Sequence, residues 1–126
     1  MAKPRIFVVE DNEDTRHLLE LLLRASGYEV SLAGNMTDAL REVPNSGADV
    51  LISDLGLPDG DGWQLLLGLR EAGAAPYAIA MSGFGTLADV TASKVAGFRH
   101  HLVKPIEWDV LKRLLEDACR ETERLH

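Results

Sequence analysis

At 126 residues, with 46% apolar and 26% charged side chains, the chain has room for one buried core and too little for two secure ones. A formal net charge of −7 excludes an ordinary nucleic-acid binder, which needs an excess of Lys and Arg on one face. The lone Cys119 excludes an internal disulfide and fits no zinc-ligand spacing, and residues 1–9 are too short in apolar length for a signal peptide or a membrane span, so the expectation is a soluble cytoplasmic protein.

The first apolar run, residues 6–9, is continuous, as a strand buried on both faces should be. Leu18, Leu19, Leu22, Leu23 and Ala25 then recur at helical spacing, and Ser26-Gly27 closes that helix with a residue suited to the left-handed conformation. In residues 28–33, Tyr28, Val30 and Leu32 alternate with Glu29 and Ser31, the pattern of a strand with one wetter face, which places it at a sheet edge. A second helical segment ends at Ser46-Gly47 before an apolar run at residues 50–52. A third ends at Ala72-Gly73 before residues 77–81, and a fourth at Ala96-Gly97 before the short run 102–103. The last helix carries Trp108, Leu111, Leu114, Leu115 and Ala118, and residues 119–126 read as its polar end or a frayed tail. Strand-then-helix units repeated in this way predict an α/β fold, doubly wound, with a five-stranded parallel sheet in the order 2-1-3-4-5, five helices on both faces and right-handed crossovers. Residues 1–126 form one domain on this reading, with no repeat or linker.

In an open doubly wound sheet the functional crevice lies beyond the carboxyl ends of the strands, where strand order reverses. One step past each strand stand Glu10-Asp11, Ala33-Gly34, Asp54, Ser82 and Lys104. The edge strand contributes nothing reactive, whereas the first and third, which flank the switch point, both deliver carboxylates. Two such charges about 4 Å apart repel by about 4 kcal/mol at an effective dielectric of about 20. One of them takes up a proton unless a cation intervenes. Carboxylates, a carbonyl and water are the ligands Mg²⁺ prefers. Lys104 adds a mobile positive charge and Ser82 a hydroxyl, so the set suits neutralising an incoming phosphoryl group. Asp54, alone at the end of the central strand, is the best placed nucleophile for an acyl phosphate.

Each residue has a plainer reading taken singly. Asp11 with Asn12 could cap the first helix. Asp54 could be a loop acid ahead of the turn formers Gly56, Pro58, Asp59, Gly60, Asp61 and Gly62. Ser82 could be a small residue before Gly83, and Lys104 a solvated charge. Their meeting at one edge of the sheet favours chemistry.

At these residues the chain resembles the receiver domain of bacterial response regulators and hybrid sensor kinases. The resemblance covers essentially the whole length and is carried by Glu10-Asp11-Asn12 after the first strand, by Asp54-Leu55-Gly56-Leu57-Pro58-Asp59-Gly60-Asp61-Gly62, by Met81-Ser82-Gly83, and by Lys104-Pro105. It implies the flavodoxin-like topology and a phosphoacceptor at Asp54. It also implies metal ligands at Asp11, Asp54 and the Gly56 carbonyl, with Glu10 acting largely through water. Ser82 matches the hydroxyl residue that moves toward the phosphoryl group, Lys104 the cation paired with it, and the Lys104-Pro105 bond is expected to be cis. Glu10 replaces the more frequent Asp of the acidic pair. His101 occupies the place where the family often has Tyr or Phe as a switch side chain, with an ordinary half-exposed histidine as the alternative; His100 should face the opposite side.

The implied function is a Mg²⁺-dependent switch rather than an enzyme with an external substrate. It takes a phosphoryl group from the phosphohistidine of a sensor histidine kinase or histidine phosphotransfer domain and shifts the face of the fourth helix, fifth strand and fifth helix. The rivals are an interaction module that has lost phosphorylation and a metal-dependent phosphatase. A flavodoxin relative is disfavoured because the first loop lacks a Gly-rich phosphate cradle. No output segment follows the fifth helix, so the chain is expected to be a stand-alone receiver or one excised from a larger protein, with similarity leaning toward hybrid histidine kinases.

Overall fold

The structure, a computed structural model, describes residues 3–125. Its elements run β1 (Arg5–Val9), α1 (Glu13–Ala25), β2 (Glu29–Ala33), α2 (Met36–Ser46), β3 (Val50–Asp54), β4 (Gly56–Leu57), β5 (Gly60–Asp61), α3 (Gly62–Glu71), β6 (Tyr77–Ser82), α4 (Leu87–Ala96), β7 (His100–Val103) and α5 (Trp108–Leu125). The main sheet is five-stranded and parallel, ordered β2-β1-β3-β6-β7. With the two-residue strands β4 and β5 set aside as a separate antiparallel hairpin, this is the order 2-1-3-4-5. The strand with the alternating pattern, β2, lies at the edge as its sequence predicts.

Alternation along the strands divides the apolar side chains between two faces. Phe7, Val9, Leu51, Ala78 and Ala80 join Leu65, Leu66 and Leu69 of α3, with Ala39, Val43 and Ala96 of α2 and α4, in one core. Ile6, Val8, Val50, Ile52, Ile79 and Met81 meet Leu19 and Leu23 of α1 and Leu111, Leu115 and Ala118 of α5 in the other. The continuous apolar runs in β1, β3 and β6 follow from this, since both faces of each strand are covered.

The helices begin and end where local chemistry dictates. Asn12, Asn35, Asp61 and Thr86 accept from backbone N–H groups of the first turns of α1, α2, α3 and α4, and at α3 Gln64 completes a capping box with Asp61. Asn12, and not Asp11, therefore caps α1. Gly27, Gly47, Gly73 and Gly97 all have positive φ, as the four small-residue–glycine pairs predict. Helix α5 extends through residues 119–125, so the polar-end alternative describes that segment; His126 lies outside the described residues. Strands β3, β6 and β7 reach further than their apolar runs, taking in Asp54, Ser82 and the two histidines, because ladder hydrogen bonds are indifferent to side-chain polarity. Among the described residues no helix is long and apolar enough to cross a membrane.

Candidate phosphoryl-acceptor site

Backbone hydrogen bonds continue the sheet one step past its strands and align the residues that follow them. The Glu10 N–H donates to the Ala33 carbonyl at 3.0 Å, the Leu55 N–H to Met81 at 2.9 Å and the Lys104 N–H to Ser82 at 2.7 Å. Glu10, Asp54, Ser82 and Lys104 are thereby fixed at the carboxyl edge, with Asp54 at the end of the central strand. The Lys104-Pro105 bond is cis, as the resemblance implies.

Glu10, Asp11 and Asp54 each place a carboxylate oxygen within 4.8 Å of the others. Glu10 is wholly buried and Asp54 nearly so, while Asp11 is exposed at the mouth. Lys104 Nζ stands between the two inner acids, donating to Glu10 Oε1 at 2.6 Å and to Asp54 Oδ2 at 2.8 Å. The remaining oxygens are also held: Glu10 Oε2 accepts from the Asn12 N–H at 3.2 Å and Asp54 Oδ1 from the Gly56 N–H at 3.1 Å. Burial pushes the Glu10 carboxyl above its usual range; the Lys104 and Asn12 hydrogen bonds oppose that shift and the Asp54 charge adds to it. For Lys104, burial disfavours the charge, but its bonds to Asp54 and Glu10 prevail and hold the ammonium above its ordinary pKa.

This electrostatic imbalance tests the fit of a divalent cation. Three carboxylates converge on one point and a single lysine compensates two of them, leaving an excess of negative charge in hard oxygen donors. The set suits Mg²⁺. Gly56, the expected carbonyl ligand, is exposed two residues past Asp54 and holds its N–H against Asp54 Oδ1.

Ser82 is buried, and its Oγ accepts from the Phe84 N–H at 2.9 Å, so the hydroxyl is engaged with its own loop. His101 is half-buried on the α4 side of β7, whereas His100 bonds to the Tyr77 hydroxyl at 2.8 Å on the other side, the opposite facing that strand alternation predicts.

Three supporting residues have roles that the sequence does not assign: Arg16 stands out in no motif, and Asp59 and Gly62 read only as turn formers within the loop after Asp54. Arg16 donates to the Glu10 carbonyl at 2.8 Å and passes over Gly34, where a Cβ would sit 3.0 Å from its Nη1. Asp59 accepts from the Met36 and Thr37 N–H groups at 2.7 and 2.8 Å and from the Thr37 hydroxyl at 2.6 Å, tying the loop after Asp54 to the start of α2. Gly62 lies against the strand that ends in Asp54, where a Cβ would be 2.7 Å from the Asp54 carbonyl oxygen. The Asp61-to-Gln64 spacing was a readable capping signal; the Asp59 and Arg16 contacts depend on how separate elements meet.

Comparison with known proteins matches residues 6–116 to the family described as the response regulator receiver domain. A Leptolyngbya boryana protein known as an uncharacterized 14.6 kDa protein in the sodA1 3' region is 34% identical over 94% of this chain and 92% of its own length. The transcriptional regulatory protein ZraR of Salmonella typhimurium is 31% identical over 96% of this chain, which spans only 27% of that relative. A solved structure sharing the fold is the receiver domain of the Saccharomyces cerevisiae response regulator Ssk1, in co-crystal with the histidine phosphotransfer signaling protein Ypd1. It superposes with a TM-score of 0.90 over 96% of this chain and 92% of that one, at 20% identity.

Proposed function

This chain belongs to the response regulator receiver domain family, and from that premise we propose that Asp54 accepts a phosphoryl group from a phosphohistidine in a Mg²⁺-dependent reaction. The observation that supports this reading is the convergence of Glu10, Asp11 and Asp54 around the Lys104 ammonium at the edge of the sheet. The donor is a sensor histidine kinase or a histidine phosphotransfer domain, the class of partner named in the Ssk1 co-crystal.

Asp11, Asp54 and the Gly56 carbonyl would hold the ion directly and Glu10 through water. Mg²⁺ bound there supplies positive charge that offsets the phosphoryl oxygens during transfer. The Asp54 carboxylate attacks phosphorus in line. The bond from phosphorus to the donor imidazole nitrogen breaks, its electron pair stays with the imidazole, and Asp54 becomes an acyl phosphate. Lys104, already 2.8 Å from Asp54 Oδ2, turns its ammonium to the new phosphoryl oxygens. Ser82 exchanges its contact with the Phe84 N–H for a hydroxyl bond to the same group, drawing the loop between β6 and α4 inward. The face formed by α4, β7 and α5, with His101 at its edge, follows by a shift in population between two states. The chain's chemistry is its own phosphorylation and dephosphorylation, with no external substrate turned over.

The test is incubation with acetyl phosphate and Mg²⁺ followed by intact-mass and peptide analysis. One phosphoryl adduct mapping to Asp54, absent in Asp54→Asn and without Mg²⁺, is expected. No adduct on the folded protein would favour a phosphorylation-independent interaction module instead, and steady phosphate release from a small phosphoester would favour a phosphatase.

A further inference from the structure

The loop that carries Phe84 is tied to the body of the protein by a chain of hydrogen bonds leading away from the Asp54 pocket. His101 Nε2 lies 3.0 Å from the Phe84 carbonyl oxygen, and His101 Nδ1 lies 2.8 Å from Ser93 Oγ. Ser93 Oγ in turn accepts from the Trp63 indole N–H at 2.9 Å. The direction of the chain is set by its ends. Indole N–H can only donate and a carbonyl can only accept, so Ser93 receives from Trp63 and His101 Nε2 must carry a hydrogen. With a neutral ring, Nδ1 is then a lone pair, and Ser93 spends its one hydroxyl hydrogen there.

Ser93 is placed to do this by burial and by its backbone. It is 1% exposed, deep between α3, α4 and β7, and its carbonyl accepts from the Gly97 and Phe98 N–H groups that lead into β7. A buried hydroxyl with both a donor and an acceptor partner is fully satisfied, so breaking either bond leaves an orphaned group at a cost. Phe84 closes the circuit. Its carbonyl is bound by His101 while its N–H is bound by Ser82 Oγ, so one loop residue is gripped from the pocket side and from the α4 side at once.

We infer that Ser93 and Trp63 are positioning residues that fix the orientation and Nε2–H tautomer of His101 and, through the Phe84 carbonyl, hold the Ser82 loop in its resting place. This rests on the proposed phosphoryl switch for its purpose, but the hydrogen-bond chain exists without phosphorylation. When Ser82 leaves Phe84 for a phosphoryl oxygen, the Phe84 carbonyl moves and His101 loses its acceptor. The ring is then free to turn only if it also gives up Ser93. The chain therefore sets how readily the loop moves, and it makes α3 and α4 parties to that motion.

Two measurements on the unphosphorylated protein test the inference separately from the acceptor assignment. Nitrogen-15 correlation spectra of the His101 ring should show hydrogen on Nε2 and a hydrogen-bonded, unprotonated Nδ1. Amide exchange of the Phe84 N–H should quicken about five-fold in Ser93→Ala, the worth of one net hydrogen bond. It should quicken by less in Trp63→Phe, which keeps an aromatic ring and removes only the donor. Phosphorylation by acetyl phosphate should accelerate in the same order, with Mg²⁺ affinity unchanged. An Nδ1–H ring in the wild type, or Phe84 exchange unaltered in both variants, would overturn the inference. Loosened exchange with no phosphorylation in any variant would uphold the inference and sink the acceptor reading instead.

Discussion

At the scale of single residues the protein turns on Lys104, whose ammonium holds together two acids that would otherwise repel. Removing it leaves Glu10 buried without its closest partner and, on the proposed function, deprives the incoming phosphoryl group of a cation. Lys104→Ala is predicted to bind Mg²⁺ at least as tightly as the wild type, since less positive charge opposes the ion. Its phosphorylation rate should fall about ten- to a hundred-fold, the value of one charge-assisted hydrogen bond of ~1.5–3 kcal/mol. Stopped-flow phosphorylation beside a calorimetric titration checks both halves. Asp59 gives a second prediction. The Thr37 hydroxyl and the Met36 and Thr37 N–H groups bind its ionised form and hold its pKa below the ordinary value. Stability from such a group is present above the unfolded pKa and is lost as pH falls through the lower folded one. The wild type should therefore lose stability below about pH 4, the ordinary aspartate value, and Asp59→Asn should show a flatter profile there in urea unfolding. These residues also differ in how legible they were. Glu10, Asp11, Asp54, Ser82 and Lys104 stand at strand ends, so chain order alone brings them to one edge. Asp59 meets α2 across 22 and 23 residues of sequence, and nothing local announces that contact.

At the scale of elements, strands and helices were readable wherever burial left a periodic mark. The continuous runs in β1, β3 and β6 and the alternation in β2 located those strands and the sheet edge. Their ends were less visible, because Asp54, Ser82, His100 and His101 are polar yet remain in the ladder. The β4–β5 hairpin was seen only as a cluster of turn formers, since two-residue strands are too short to carry a period. The chain from Trp63 through Ser93 to His101 was equally hidden, as it depends on how α3 and α4 are rotated against β7. The junction of β3 and α3 carries its own prediction. Gly62 starts α3 directly over the Asp54 carbonyl and donates its N–H to Leu55 at 2.9 Å. A methyl group there must displace backbone or the Leu55 side chain. Gly62→Ala should cost ~1–3 kcal/mol in urea unfolding and slow phosphorylation as Asp54 shifts. Unchanged stability and rate would mean that the junction is softer than its contacts imply.

For the whole molecule, the sheet separates two apolar cores and presents its chemistry at one edge, so stability and function are largely decoupled in space. Leu115, fully buried between α5 and the sheet, illustrates this. Leu115→Ala should lower unfolding free energy by ~2–5 kcal/mol while the folded fraction still phosphorylates at the wild-type rate, as urea titration and adduct kinetics would register. The site is a different matter, because its acids are held close against their mutual repulsion and only part of that charge is met by lysine. The residual charge is proposed to seat a divalent cation shared by Asp11 and Asp54. Calorimetric titration of Mg²⁺ into the wild-type protein tests it most directly, with the Asp11→Asn/Asp54→Asn double variant as reference. Saturable single-site binding that raises the melting temperature of the wild type and is absent from the double variant is expected. No binding to the wild type, or equal binding to both proteins, would contradict it.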